Sequence, residues 1–266
     1  MNRRAVAPVG RPLDATVTVP GSKSISNRAL VCASLADGEC TLDNIADGDD
    51  TVAMLDCLSR LGVTVRQDAS TVTVVGRAGT LPAGPVVLPT RLAGTTSRFL
   101  TAVAALGPGP YVIDGDAPLR SRPMGPLHDA LLSLGVVVHP LDRQGHLPVQ
   151  IRAGEPLTKR ARVRIRGDVS SQYISALMMM APCLPHGMRI ELTTPLVSGP
   201  YVEMTASVMR AFGIAEVHLQ GGATEAVIEI PHAAYRACRY VVEPDASSAS
   251  YPLAAAAIAG GRVRVL

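Results

Sequence analysis

The amino-acid sequence predicts an α/β protein built from three related units. Helix-like and strand-like stretches alternate along the chain, and the alternation repeats at a period of about 75 residues. A glycine directly follows the second helix-like stretch of each unit, at Gly62, Gly135 and Gly213. Because glycine enters the left-handed conformation at little steric cost, these positions are expected to be helix ends. Three copies about a pseudo-threefold axis can bury their apolar helices together, which gives one complete domain over residues 20–240.

Each unit is expected to contain two helices and several strands. The first helices are predicted over 24–36, 95–106 and 171–180, and the second helices over 50–61, 124–134 and 202–212. The strands are predicted over 39–42, 63–66 and 71–75, then 111–113, 136–139 and 149–152, then 188–192, 214–219 and 226–230. This order indicates sheets that are each covered by helices on one face.

A fourth unit follows and is incomplete. A helix is predicted over 247–258, followed by Gly260, Gly261 and a strand over 262–266. No second helix and no hairpin follow this strand, which would leave apolar surface and backbone groups unpaired. The chain is therefore expected to be a fragment, or to have a partner that supplies the remainder.

Composition argues against several classes of function. Lys and Arg number 25 against 22 Asp and Glu, aromatic residues make up 3%, and Trp is absent, so a nucleic-acid partner is not expected. The N-terminus lacks an apolar stretch of signal-peptide length, and the most apolar segment, 252–260, is shorter than the roughly 20 residues that cross a bilayer. A cytoplasmic protein without membrane association is expected. The five cysteines and six histidines show no metal-ligand spacing, and the cysteines are expected to be reduced.

Small hydroxyl residues stand at four related helix starts. These starts read Ser22-Lys23-Ser24, Gly94-Thr95-Thr96, Ser170-Ser171 and, in the incomplete unit, Ser247-Ser248. Such residues cap the free N–H groups of a helix, and capping alone explains any single one of them. If symmetry brings the starts together, several N–H donors and positive helix ends face one point, which favours a phosphate or carboxylate ligand.

Cations lie close to the same helix starts. They are Lys23, Arg28, Arg98, Arg120 and Arg122. The compact ammonium of Lys23, in a glycine-serine loop, suits a phosphate oxygen, and Arg122 can hold one with two N–H groups. Arg98 and Arg120 fit a structural ion pair as well as they fit a ligand contact.

At these residues the sequence resembles the EPSP synthase family. The run from Pro20 to Leu30, which reads Pro-Gly-Ser-Lys-Ser-Ile-Ser-Asn-Arg-Ala-Leu, resembles the N-terminal signature of that family. Further matching segments follow in order: Leu92-Ala93-Gly94-Thr95-Thr96-Ser97-Arg98, Arg120-Ser121-Arg122-Pro123-Met124, Val169-Ser170-Ser171-Gln172-Tyr173, Ser198-Gly199-Pro200-Tyr201 and Asp245-Ala246-Ser247-Ser248-Ala249-Ser250-Tyr251. The resemblance therefore covers the whole chain.

The resemblance implies a fold and a division into domains. The implied fold is the inverse αβ barrel of the enolpyruvyl transferases, a pseudo-threefold repeat of βαβαββ units. Residues 1–19 would be a strand segment of the second domain, and 20–240 the complete shikimate-3-phosphate-binding domain. Residues 241–266 would be the interdomain crossover and the truncated start of the second domain.

The resemblance also implies an activity. EPSP synthases transfer the enolpyruvyl group of phosphoenolpyruvate to the 5-hydroxyl of shikimate-3-phosphate and release phosphate, on the route to chorismate and aromatic amino acids. No metal and no organic cofactor is expected, and the full-length protein is expected to be a monomer.

The matching motifs carry the family's binding residues onto this chain. The residues expected to contact shikimate-3-phosphate are Ser24, Arg28, Ser170, Ser171, Gln172, Ser198 and Tyr201. Lys23 and Arg122 are expected to contact phosphoenolpyruvate, with Lys23 touching both ligands. The backbone of Gly94 and Thr95 is expected to line the phosphoenolpyruvate pocket.

Three departures from the family pattern qualify this interpretation. Leu92 stands where the family often has asparagine, and Phe99 where proline is common. The family's catalytic carboxylates are expected beyond Leu266, so no catalytic residue is assigned within the chain. One alternative is a module that binds shikimate-3-phosphate without turnover. A more remote one is the sister transferase acting on UDP-N-acetylglucosamine, which lacks the run from Ser22 to Arg28 and carries a cysteine loop.

The site assignment predicts different effects for two substitutions. Arg28→Ala is expected to weaken the binding of shikimate-3-phosphate, because it removes a cation assigned to the ligand. Cys57→Ala is expected to leave binding nearly unchanged, because Cys57 is assigned no contact. Titration calorimetry of both variants measures the difference, and equal effects would contradict the assignment.

Overall fold

The computed structural model describes residues 5, 10–155, 159–221 and 226–266. The helices are α1 (Lys23–Leu35), α2 (Asp49–Arg60), α3 (Gly94–Ala104), α4 (Ala117–Arg120), α5 (Gly125–Ser133), α6 (Ser171–Met180), α7 (Gly199–Ala211) and α8 (Ala246–Ala259), with a 3-10 turn at Ala181–Cys183. The strands are β1 (Leu13–Val17), β2 (Glu39–Asp43), β3 (Thr64–Asp68), β4 (Thr71–Val75), β5 (Val86–Pro89), β6 (Tyr111–Asp114), β7 (Val137–Pro140), β8 (Val149–Arg152), β9 (Ala161–Ile165), β10 (Met188–Leu192), β11 (His218–Gly221), β12 (Ala226–Ile230), β13 (Arg239–Val241) and β14 (Gly261–Val265).

Three four-stranded sheets repeat one topology. Their strand orders are β13-β2-β4-β3, β5-β6-β8-β7 and β9-β10-β12-β11. In each sheet the first two strands are parallel and the remaining pairs are antiparallel. Along the chain, α2 connects β2 to β3, α4 and α5 connect β6 to β7, and α7 connects β10 to β11, as the predicted βαβαββ pattern requires. The α/β repeat is confirmed.

The first sheet is completed by a strand from the far end of the chain. β13 pairs with β2 in parallel, with Arg239 opposite Thr41 and Val241 opposite Asp43. It takes the place that β5 and β9 hold in the other two sheets. The pseudo-threefold arrangement therefore closes through a contact between residues nearly 200 positions apart.

The first helices of the three units form the centre of the core. Every residue of α1 from Ile25 to Leu35 is buried, as is every residue of α3 from Thr96 to Ala104 and of α6 from Tyr173 to Met180. α3 packs against α1 and α6, while α7 packs between α1 and α6. These helices are buried on all sides. A change in the orientation of any one of them would therefore disrupt the packing of the core.

Most elements lie within two residues of their predicted bounds. The three predicted glycine ends are also confirmed, with φ of +76° at Gly62, +78° at Gly135 and +90° at Gly213. The strand predicted over 214–219 is wrong in its first four residues, because pairing begins only at His218. Ile214 and Val217 are buried but do not belong to a strand. Their apolar side chains therefore indicated burial and not strand structure.

The last helix, α8, and the last strand, β14, pack against few buried residues. β1 and β14 form a two-stranded parallel sheet, and α8 packs on both. No residue of α8 is buried, and Ile258 and Tyr251 are 87% and 78% exposed. The predicted domain boundaries at 19 and 240 stay predictions, and part of the 1–19 segment lies outside the described residues.

None of the helices in the described part of the chain combines the length and the apolar character needed to cross a membrane.

Gly135→Ala tests the cost of the left-handed helix end. A Cβ at Gly135 would meet no atom within 4 Å, so the substitution changes only backbone strain. We expect a loss of about 1 kcal/mol in the free energy of unfolding by urea denaturation. Gly125→Ala is the control, because Gly125 begins a helix at ordinary φ and its nearest neighbour is 3.9 Å away. An equal loss in both variants would contradict the explanation.

Candidate functional site

The starts of five helices, α1, α3, α6, α7 and α8, face one large cavity. The cavity has a volume of about 950 Å³, and its lining is rich in hydroxyl groups. It is lined by Lys23, Ser24, Arg28, Thr95, Val169, Ser170, Ser171, Gln172, Ser198, Tyr201, Asp245, Ser247, Ser248, Ser250 and Tyr251. The helix starts therefore converge as the sequence analysis expected, and α8 contributes to the same wall.

A second, smaller cavity adjoins the first and is basic. Its volume is about 410 Å³, and it is lined by Lys23, Asp50, Leu92, Gly94, Thr95, Arg98, Arg122, Ser170 and Gln172. We call this space the basic cavity, because it holds three cationic side chains and one carboxylate. Lys23, Thr95, Ser170 and Gln172 line both cavities. Together the two cavities collect all eleven residues to which the sequence analysis assigned a binding role.

Capping accounts for only some of the hydroxyl groups. Ser22 accepts a hydrogen bond from the Ile25 N–H, and Ser170 accepts one from the Gln172 N–H. In contrast, α3 begins after Ala93, which has no side-chain acceptor, and the Ser198 hydroxyl caps nothing although Ser198 precedes α7. The Ser198 backbone lies at φ +67°, a strained conformation for a residue with a side chain. The starts of α3 and α7 thus keep donors that no side-chain cap satisfies.

Lys23 stands between the two cavities and is held by an ion pair. Its Nζ lies 3.1 Å from Oδ2 of Asp50. The backbone carbonyl of Asp50 also accepts a hydrogen bond from the Thr96 hydroxyl, which ties α2 to the start of α3. The sequence analysis missed Asp50, whose one signal was its place in the first turn of α2, where acidic residues are common.

Arg28 is buried beneath the large cavity. Its Nε donates to the Thr205 hydroxyl at 2.7 Å, its Nη1 to the Ser24 carbonyl at 2.8 Å, and its Nη2 to the Ser175 hydroxyl at 3.1 Å. A longer contact of 3.5 Å joins Nη2 to the Tyr201 carbonyl. A guanidinium has five N–H donors, so one N–H on Nη1 has no acceptor among the described residues and can bind a ligand.

Burial lowers the pKa of Arg28 to about 10, which still leaves the side chain charged at neutral pH. Its guanidinium also lies 5.2 Å from the centre of the Phe99 ring, so phenylalanine at this position packs against the cation.

Two arginines flank Gly94 in the basic cavity. The Arg98 Nη1 donates to the Gly94 carbonyl at 2.8 Å. A Cβ built on Gly94 would lie 2.6 Å from Nη1 of Arg98 and 3.2 Å from Nη1 of Arg122. The absence of a side chain at Gly94 therefore lets both cations approach the start of α3, where they favour an anion.

Arg120 has a different role from Arg98. Its Nη2 lies 2.7 Å from Oδ2 of Asp114, and its Nε donates to Oδ1 of the same carboxylate at 2.9 Å. Hydrogen bonds to Asp114 raise the pKa of Arg120. Arg120 lines neither cavity, so the structural ion pair is the interpretation that the structure supports.

Nearly the whole chain matches one family model. The model described as EPSP synthase (3-phosphoshikimate 1-carboxyvinyltransferase) matches residues 8–266. The chain belongs to the EPSP synthase family. Among its relatives, the 3-phosphoshikimate 1-carboxyvinyltransferase of Nostoc sp. is 39% identical over all of this chain and 62% of its own length. The enzyme of the same name from Cupriavidus taiwanensis is 44% identical over 94% of this chain and 58% of its own length.

A solved structure shows the same fold. The EPSP synthase of Acinetobacter baumannii superposes with a TM-score of 0.80, at 24% sequence identity, over 96% of this chain and 56% of that one. At this identity the likeness establishes the fold alone. The chain spans about 60% of the length of the EPSP synthases that it matches.

The cysteines and histidines lie apart from the cavities of this EPSP synthase family member. All five cysteines are free, and none lines either cavity. Burial raises the pKa of Cys57 to about 12, so its thiol stays protonated. Within the described residues, no group of three or more His, Cys, Asp or Glu side chains could hold a metal ion.

Thr205→Val tests how Arg28 is held. Thr205 and Thr101 are both fully buried, and both donate to the carbonyl four residues earlier, but only Thr205 also accepts from a guanidinium. Thr205→Val should lower the free energy of unfolding by about 1–3 kcal/mol, because a buried charged donor loses its acceptor. The loss should exceed that of Thr101→Val, measured by urea denaturation. Equal losses would contradict a role for Thr205 in holding Arg28.

Proposed function

We propose that this chain binds shikimate-3-phosphate in the large cavity and the anionic groups of phosphoenolpyruvate in the basic cavity. The reaction is that of its family, transfer of the enolpyruvyl group to the 5-hydroxyl of shikimate-3-phosphate with release of phosphate. The observation that carries the proposal is that the two cavities adjoin and share Lys23, Thr95, Ser170 and Gln172. Two ligands that must react with each other need such a shared wall.

The large cavity suits a hydroxylated ring that carries a phosphate and a carboxylate. Its serines can donate to and accept from ring hydroxyls, and the starts of α6 and α7 can donate N–H groups to an anion. Arg28 supplies one N–H and a buried positive charge. The proposed contacts are Ser24, Arg28, Ser170, Ser171, Gln172, Ser198 and Tyr201.

The basic cavity suits phosphoenolpyruvate, which carries a phosphate and a carboxylate on three carbons. Lys23 and Arg122 are the proposed contacts, with the backbone at Gly94 and Thr95. Arg98 adds a third cation that the motif did not assign. Preplaced cations of this kind stabilise negative charge as it develops in an addition intermediate.

A short link joins the two binding regions. The Gln172 amide donates to the Thr95 hydroxyl at 3.2 Å, so the start of α6 meets the start of α3 where the cavities join. We propose that the 5-hydroxyl of shikimate-3-phosphate lies at this junction and adds to phosphoenolpyruvate there. A shift of about 1 Å at such a junction can cost two orders of magnitude in rate.

The proposal assigns the proton transfers to the rest of the protein. Asp50 is the carboxylate in the basic cavity, and it is already paired with Lys23. We propose that the family's catalytic carboxylates come from the portion of the longer relatives that this chain does not match. The exposed apolar side chains of α8, with β1 and β14, form the surface proposed to receive that portion. On this proposal residues 1–19 and 241–266 belong to the second domain, and the full-length protein is a cytoplasmic monomer without a cofactor.

Calorimetry followed by an activity assay tests the proposal. Shikimate-3-phosphate should bind to the purified chain, and shikimate without the phosphate should bind at least about tenfold more weakly, because the helix ends and cations recognise the anion. Phosphoenolpyruvate is then added and phosphate release is measured. Binding without release supports the assignment of the proton transfers to the rest of the protein. Release at ordinary enzyme rates would contradict that assignment. Equal affinity for the two sugar acids would contradict the proposed site.

A further inference from the structure

Tyr173 connects both arginines of the basic cavity although it lines neither cavity. It follows Gln172 in the first turn of α6, and it is 1% exposed. Its chain neighbours Ser171 and Gln172 line the large cavity, whereas Tyr173 itself is buried. None of the binding roles proposed above includes it.

The Tyr173 hydroxyl anchors the segment that carries Arg122. It donates a hydrogen bond of 2.6 Å to the carbonyl of Pro123, the residue directly after Arg122. The same segment is held by bonds from the Arg122 N–H to the Leu119 carbonyl and from the Met124 N–H to the Gly145 carbonyl. These two backbone bonds stay within the second unit, whereas the tyrosine bond links the segment to α6.

The Tyr173 ring supports the second arginine. The Arg98 guanidinium lies 5.5 Å from the centre of the ring, within the range of a cation–π contact. Arg98 is 7% exposed, and its Nε has no hydrogen-bond partner among the described residues. Within the described part of the chain, the bond to the Gly94 carbonyl and the contact with the Tyr173 ring hold this guanidinium.

A buried tyrosine bonded to a carbonyl is by itself an ordinary feature of a core. Tyr111 donates to the carbonyl of Pro82, and Tyr235 donates to that of Met179, and neither lines the two cavities. Tyr173 differs because its ring lies against Arg98 and its hydroxyl bonds the residue next to Arg122, and both arginines line one cavity. The same residue directly follows Gln172, which lines both cavities.

We propose that Tyr173 is a positioning residue of the basic cavity. Its ring fixes Arg98 and its hydroxyl fixes the segment that carries Arg122, and together they set the affinity for a ligand with two anionic groups. The inference rests on the proposed function, because the ligand it names is phosphoenolpyruvate. It assigns Tyr173 no contact with the ligand.

Tyr173→Phe tests the hydroxyl while it keeps the ring under Arg98. The substitution leaves the Pro123 carbonyl without its donor, so the Arg122 segment should relax. We expect the Kd for phosphoenolpyruvate, measured by calorimetry with shikimate-3-phosphate present, to rise about three- to tenfold. The Kd for shikimate-3-phosphate itself should change less than about twofold. Tyr173→Leu, which also removes the ring, should weaken phosphoenolpyruvate binding further.

Tyr111→Phe is the matched control. It deletes the same hydroxyl from an equally buried tyrosine that is also bonded to a proline carbonyl. Both variants are expected to lose thermal stability, and only Tyr173→Phe is expected to lose affinity for phosphoenolpyruvate. A general loosening of the core would lower the affinity in both variants equally and would overturn the proposal.

A double-mutant cycle with Arg122→Lys shows whether the effect passes through Arg122. Lysine lacks the planar fork that the segment must orient, so Tyr173→Phe should have less than about a twofold effect in the Arg122→Lys background. The same titrations with inorganic phosphate supply a probe that does not depend on the reaction. If the effects of the two substitutions are independent, the proposal is wrong.

The outcomes separate this inference from the proposed function. Wild-type binding of both ligands with no selective effect of Tyr173→Phe would overturn the inference alone. Binding of inorganic phosphate but not of phosphoenolpyruvate, with the selective effect present, would support the inference and contradict the proposed ligand. Failure of the wild-type chain to bind either anion would overturn both.

Discussion

The packing of α1, α3 and α6 into one core is the constraint on which the site depends. All three helices are buried along nearly their whole length, so none can turn without opening the core. Their first turns meet at the two adjoining cavities, where Ser24, Thr95 and Ser171 lie. The free N–H groups at these ends are a consequence of helix geometry, and the fold brings them together before any ligand is present.

The positive charge of the site is organised by groups that do not themselves face a ligand. Arg28 is held by Thr205 and Ser175, and Arg98 lies against the Tyr173 ring. Rigid support of this kind lowers the reorganisation that an anion would otherwise demand, and electrostatic stabilisation is most effective when the charges are already in place. Asp50 has a related part, since it keeps the flexible Lys23 side chain at the junction of the cavities.

Much of this fold could be predicted from the sequence because helix starts and ends have local chemical causes. Serine at the starts and glycine at the ends placed most helices to within about two residues. The first strand of each unit was missed. β5, β9 and β13 are all edge strands, and β13 joins the first unit only through a pairing with β2 that no local pattern indicates. The different roles of Arg98 and Arg120 could not be predicted either. Arg120 is distinguished by its ion pair with Asp114, which depends on the tertiary structure.

The central claim is that the converging helix ends and their cations form one site for two anions. The most direct test is a crystal structure of the chain with shikimate-3-phosphate bound. The account predicts the ligand in the large cavity, with its phosphate about 3 Å from hydrogen-bond donors at one or more of the helix starts, and with the ring facing the basic cavity. A ligand bound elsewhere, or one whose phosphate points to solvent away from every helix start, would contradict it.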